Sequence, residues 1–93
     1  MGRERWRIEG FDSHKLLIQE TMGYESLTEA EIIALLQRLA SKYLTEHEII
    51  SASRRKGDVG YASFLEPTID RSGQLNISVG CNPHFVASVF DYH

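Results

Sequence analysis

The sequence predicts an α+β fold: an antiparallel sheet of four to five strands with two helices packed on one face, in the order β-β-α-α-β-β-β, the last element being strand or helix. Three observations predict it. A capped helix start occurs twice in the middle of the chain, as Leu27-Thr28-Glu29-Ala30-Glu31-Ile32-Ile33 and again as Leu44-Thr45-Glu46-His47-Glu48-Ile49-Ile50. Segments on both sides of this pair alternate apolar and polar residues with the period of a half-buried strand. Clusters of Gly, Asp, Asn and Ser separate those segments where turns belong.

The elements follow in order. Trp6 and Ile8 alternate with Arg5, Arg7 and Glu9, marking a strand with one buried face. Gly10 to His14 supplies a turn, and Leu16 to Gln19 resumes as the second strand of a hairpin. Gly23 to Ser26 ends it. In the first repeated phrase the Thr28 hydroxyl accepts from an orphan backbone N–H, Glu31 reaches back to the cap, and Leu27 and Ile32 form a hydrophobic staple. Ile32, Leu35, Leu36, Leu39 and Tyr43 then share one stripe at the helical period, with Gln37, Arg38 and Ser41 opposite, giving a helix over 29–43. Thr45, Glu48 and the Leu44–Ile49 staple repeat these devices, for a shorter helix ending near Arg55 where Gly57 offers a left-handed cap. Nothing else recurs at that spacing, so the repetition reads as convergent capping chemistry. Val59 to Glu66 reads as a strand stopped by Pro67, and Asp70 to Gly73 as a turn. Leu75, Ile77 and Val79 alternate with Gln74, Asn76 and Ser78 as a strand with one wet face. In Phe85 to Tyr92, aromatic and β-branched enrichment favours a strand, while Asn82-Pro83 as a helix start keeps a helix open.

Ninety-three residues form a single domain, 1–93, with chain enough for one core. Apolar content of 42% and charged content of 25% are those of a folded globular protein. The net charge of −3 weighs against non-specific nucleic-acid binding, which needs a positive face. Cys81 is the one cysteine, so no intramolecular disulfide forms. No apolar run reaches the roughly 20 residues of a membrane helix, and no hydrophobic stretch follows the basic N-terminal residues, so no membrane association and a cytoplasmic location are expected.

Three groups of residues are candidates for function. Arg54, Arg55 and Lys56 are the densest run of charge, and His47, Ser51 and Arg54 share an outward face of the second helix. With a following hairpin as a wing, this invites a nucleic-acid-binding reading, with Arg5 and Arg7 as auxiliaries. Against it stand the acidic start of that helix at Glu46 and Glu48, and the ordinary use of cations in a last helical turn. Arg3, Arg5 and Arg7 alternate on the solvent side of the first strand, either as a basic stripe for single-stranded nucleic acid or, more simply, as charge blunting an edge strand. Cys81 and His84 share one turn, but as metal ligands they are too few for zinc, and as nucleophile and base they lack an oxyanion hole. No cofactor motif is present: Gly57-Asp58-Val59-Gly60 has neither the length nor the following lysine of a phosphate loop.

The remaining feature is surface. Phe85, Val86, Phe90 and Tyr92 lie in a segment apolar on both faces, suited to a strand covered on both sides or to an edge that pairs with another copy. Trp6, Phe11, Tyr61 and Phe64 add more aromatics than one small core requires. The sequence therefore favours a non-catalytic protein-interaction module, self-associating as a homodimer or docking to a larger protein through its sheet. A nucleic-acid-binding regulator is the alternative, and a Cys81/His84 enzyme or metal site the third.

Overall fold

A computed structural model describes residues 4–80 and 83–91. Strand β1 (Glu4–Asp12) and strand β2 (Lys15–Gly23) form a hairpin, followed by a single 3₁₀ turn at Tyr24–Ser26. Helices α1 (Glu29–Ser41) and α2 (Glu46–Ser53) come next, then β3 (Pro67–Asp70), β4 (Asn76–Gly80) and β5 (His84–Asp91). The strands form one five-stranded sheet in the order β2-β1-β5-β4-β3, every neighbouring pair antiparallel. This is the α+β architecture expected, with the final segment a strand.

One face of the sheet holds the core. Trp6 and Ile8 from β1, Ile77 and Val79 from β4, and Phe85, Ala87 and Val89 from β5 meet Ile32, Leu36 and Ala40 from α1. The three α1 residues are spaced by one helical turn each, so they form a single line laid across β4 and β5. Trp6 is fully buried, and its indole N–H donates to the carbonyls of Tyr24 and Leu27, both at 3.2 Å. That bond satisfies the one polar atom of the largest core side chain and ties β1 to the entry of α1.

Both capping boxes form as the repeated phrase dictates. Thr28 Oγ1 accepts from the Glu31 N–H and Glu31 Oε1 accepts from the Thr28 N–H; Thr45 and Glu48 repeat the pattern. The backbone donor from Thr28 holds the Glu31 carboxyl below the usual carboxylate range.

Several expectations are corrected. Gly10 belongs to β1 rather than to the turn, which lies at Ser13 and His14. A Cβ on Gly10 would stand 2.4 Å from Cε1 of Phe85, so glycine is required because an aromatic ring lies across the strand there. Helix α1 stops at Ser41, and Gln37 does not face solvent: its side-chain N–H donates to the Leu65 carbonyl at 2.9 Å. Helix α2 stops at Ser53 with an extended residue, Arg54, at its C-cap; Gly57 has φ +97° but serves the following turn, where Asp58 N–H donates to Arg55 O. The strand expected over 59–66 is a series of turns, because Gly57 and Gly60 both take positive φ and break any extended run. Pro67, expected as a stop, opens β3 instead. It is tolerated there because β3 is an edge strand and Pro67 its first residue. Finally, β1 is interior, between β2 and β5, so its arginines do not blunt an edge.

No helix among the described residues is long and apolar enough to cross a membrane.

Candidate interaction surfaces

Helix α1 occupies one side of the sheet, and the strand registers define what the other side presents. Arg5 lies between Gly23 and Phe90, Arg7 between Thr21 and Ser88, Glu9 between Gln19 and Val86, and Phe11 between Leu16 and His84. These side chains alternate with the buried Trp6 and Ile8, so they all point away from α1. Next to them β4 adds Asn76 and Ser78, and β3 adds Thr68 and Asp70.

Local contacts order this open face. The Arg7 guanidinium carbon stands 4.3 Å from the centre of the Phe90 ring, a cation–π contact between diagonal neighbours on β1 and β5. Phe11 and His84, directly opposite each other, stack with ring centres 5.4 Å apart and planes 24° apart. Between these pairs Gln19 donates to Glu9 across β1 and β2. The face thus carries two pre-formed cation-aromatic or aromatic pairs. Its charges are mixed: Arg5 and Arg7 are offset by Glu9 and Asp70.

The residues expected to act together divide between faces. Phe85 is part of the core, 1% exposed, whereas Val86 and Phe90 lie half-buried on the open face. Because β5 is central, it offers no free edge to another copy. Tyr92, Cys81 and Arg3 lie outside the described residues. His84, the partner expected for Cys81, opens β5 and stacks on Phe11. Gly80, the last residue of β4, has φ +88°, and a Cβ there would meet the Pro83 carbonyl oxygen at 2.7 Å. Among the described residues no group of three or more His, Cys, Asp or Glu side chains is placed to hold a metal ion.

The basic run sits elsewhere, beyond the end of α2. Ser51, expected on the outward helical face, is buried, and its carbonyl accepts from Ala62 N–H, which folds the 54–66 segment back onto α2. Lys56 Nζ lies 2.8 Å from Glu66 Oε1, and the Tyr61 hydroxyl donates to Glu66 Oε2 at 2.8 Å. The Lys56 bond, then the Tyr61 bond, lowers the Glu66 carboxyl below its ordinary range, and the same Glu66 raises Lys56. Arg54 lies along Gly60, where a Cβ would stand 3.3 Å from Nε. Arg54 and Arg55 are exposed and have no ion-pair partner among the described residues. Neither is helical, so the recognition-helix geometry does not form. At the same end of the molecule Ile50 is 58% and Val59 96% exposed.

The open face also shows what local sequence reasoning missed. The Phe11–His84 stack required β1 to extend past Gly10, and both aromatic contacts required the first and last strands to be neighbours. The alternation Arg5, Arg7, Glu9, Phe11 was the available signal for the first. No family model matches the chain, and no curated protein or solved structure matches it.

Proposed function

We propose that this chain is a small non-catalytic protein-interaction module that docks a protein partner on the open face of its sheet. The observation that carries the reading is the pairing of Arg7 with Phe90 and of Phe11 with His84 on the face of the sheet opposite α1. Arginine and aromatic side chains are the types enriched at the centres of protein interfaces, and here their rotamers are already held by neighbours, which lowers the ordering cost of binding. The balance of Arg5 and Arg7 against Glu9 and Asp70 suits a protein surface better than a run of phosphates, which rewards net positive charge.

The test is a photo-crosslinking residue at Val86, in the middle of the open face, with the same residue at Arg38 on the outer side of α1 as control. A discrete protein adduct from position 86, lost on adding Arg7→Ala and Phe90→Ala, is the expected result. Equal labelling from both positions, or an adduct that survives both substitutions, overturns the reading.

A nucleic-acid reading is supported separately by Arg54 and Arg55, which are exposed and have no ion-pair partner among the described residues. Titration into labelled single-stranded and duplex oligonucleotides at two salt concentrations separates the two. Steeply salt-dependent binding that disappears in the Arg54→Ala, Arg55→Ala variant would replace the protein-docking reading.

A further inference from the structure

The two edges of the sheet are built differently. Strand β3 has four residues, begins with a proline that has no N–H to offer, and ends at Asp70, whose carboxylate is engaged by the Ser72 N–H and hydroxyl. Those are the devices that protect an edge. Strand β2 has nine residues, no proline, and two charged residues at exposed positions, Lys15 and Glu20; no described strand pairs with its outer side. A long edge of this kind is a template for another strand.

Its register says which strand. The β1–β2 pairing runs Gly10 to Ile18 and then Phe11 to Leu16, so Leu17 is an extra residue in a bulge. Lys15 lies opposite Asp12, and Glu20 opposite Ile8. Asp12 and Ile8 are on the same face of β1 and in the same hydrogen-bonding position of its ladder, so their partners share both properties. Without the bulge, Lys15 and Glu20 would fall on opposite faces. With it, both stand on the helix side, on either side of a short apolar centre, Leu17 and Ile18.

We infer that β2 pairs with β2 of a second copy, antiparallel about a two-fold axis at Leu17–Ile18, joining the two sheets into one. This register sets Lys15 of each copy opposite Glu20 of the other, Leu16 opposite Gln19, and brings the half-buried Leu17 and Ile18 together. A register centred on Glu20 would instead set two carboxylates face to face. Helix α1 of each copy lies on the same side of the joined sheet, and the opposite face is left out of the new pairing, so this inference is independent of the docking reading above. One strand pair buries less than the roughly 1,200 Å² of a stable interface, so the dimer is weak and concentration-dependent.

Sedimentation velocity over a concentration series tests it. The wild-type protein is expected to pass from monomer to dimer. Lys15→Glu and Glu20→Lys should each weaken the dimer about tenfold, since each turns two attractive cross-strand pairs into repulsive ones. The double reversal, Lys15→Glu with Glu20→Lys, should restore it. Unchanged thermal unfolding of the monomer at low concentration shows that each variant folds. A wild-type monomer at every concentration, a dimer indifferent to both single reversals, or a double reversal that stays monomeric overturns the inference.

Discussion

Helices α1 and α2 open with the same chemistry and are held by different forces. Each begins with a complete capping box, Thr28 with Glu31 and Thr45 with Glu48. From there α1 runs 13 residues and buries Ile32, Leu36 and Ala40 against the sheet. Helix α2 runs eight residues, buries Ser51, and leaves Ile50 in solvent. What holds α2 is polar: its link to Ala62 N–H, and the Lys56–Glu66–Tyr61 group that fastens the following segment. Capping fixes where a helix starts; buried apolar area decides how far it runs and how firmly it stays. The two ends of the helical layer therefore differ in what removes them.

The largest effect lies in the α1 line. Leu36→Ala empties a fully buried position at the centre of the core and should cost about 2–5 kcal/mol of unfolding free energy. Ile50→Ala, an aliphatic deletion at an exposed position of α2, should change stability by less than about 0.5 kcal/mol. Urea unfolding of the two variants measures both. A cost at Ile50 approaching that at Leu36 would mean that α2 is anchored by burial after all.

The caps make a finer comparison. Thr28→Ala removes the acceptor for Glu31 N–H at the start of a helix on which the core depends, and should lower global stability by about 1 kcal/mol. Thr45→Ala removes the same bond from α2. There the loss should appear mainly as faster amide exchange within 46–53 and at Ala62, with a smaller change in the unfolding midpoint, because α2 can open without the core. Equal shifts in the midpoint would show the two helices to be one cooperative unit.

The same division explains which parts of the fold were legible in the sequence. Helix starts rest on residues that touch within one turn, so Thr28, Glu31, Thr45 and Glu48 could be assigned from spacing alone. The alternation at Trp6–Ile8 and Leu75–Val79, and the β-branched run in β5, likewise carried strands correctly. The errors lie where distant contacts decide. Val59, Tyr61, Phe64 and Leu65 have the apolar content of a strand, yet positive φ at Gly57 and Gly60 turns the chain, and the edge strand starts at Pro67. Gly10 looks like a turn residue until Phe85 is placed over it. The open face was half legible: Arg5 and Arg7 were assigned to the solvent side, but their partner aromatic, Phe90, becomes visible when β5 is laid beside β1. Phe85, grouped with Phe90 by sequence, parts from it because adjacent strand positions face opposite ways.

The smallest effect belongs to the polar fastening itself, and acid should expose it. Glu66 lies below the ordinary carboxylate range, first because Lys56 donates to it and then because Tyr61 does. A carboxyl depressed in the folded state contributes stability that is present above its unfolded value and lost as pH falls through the folded one. The group is solvent-exposed, so the global effect is small. It should still be visible locally. An NMR titration of the Glu66 side chain should give a value below that of an unstructured glutamate, rising in Lys56→Met and rising less in Tyr61→Phe. Glu66→Gln at neutral pH should imitate the acid state and speed trypsin cleavage after Arg54, Arg55 and Lys56, while leaving protection of the α1 amides unchanged. Burial under Leu36 carries no proton and has no such dependence. If acid or Glu66→Gln loosens α1 as much as the 54–66 segment, the contrast between a helix held by burial and one held by surface bonds fails.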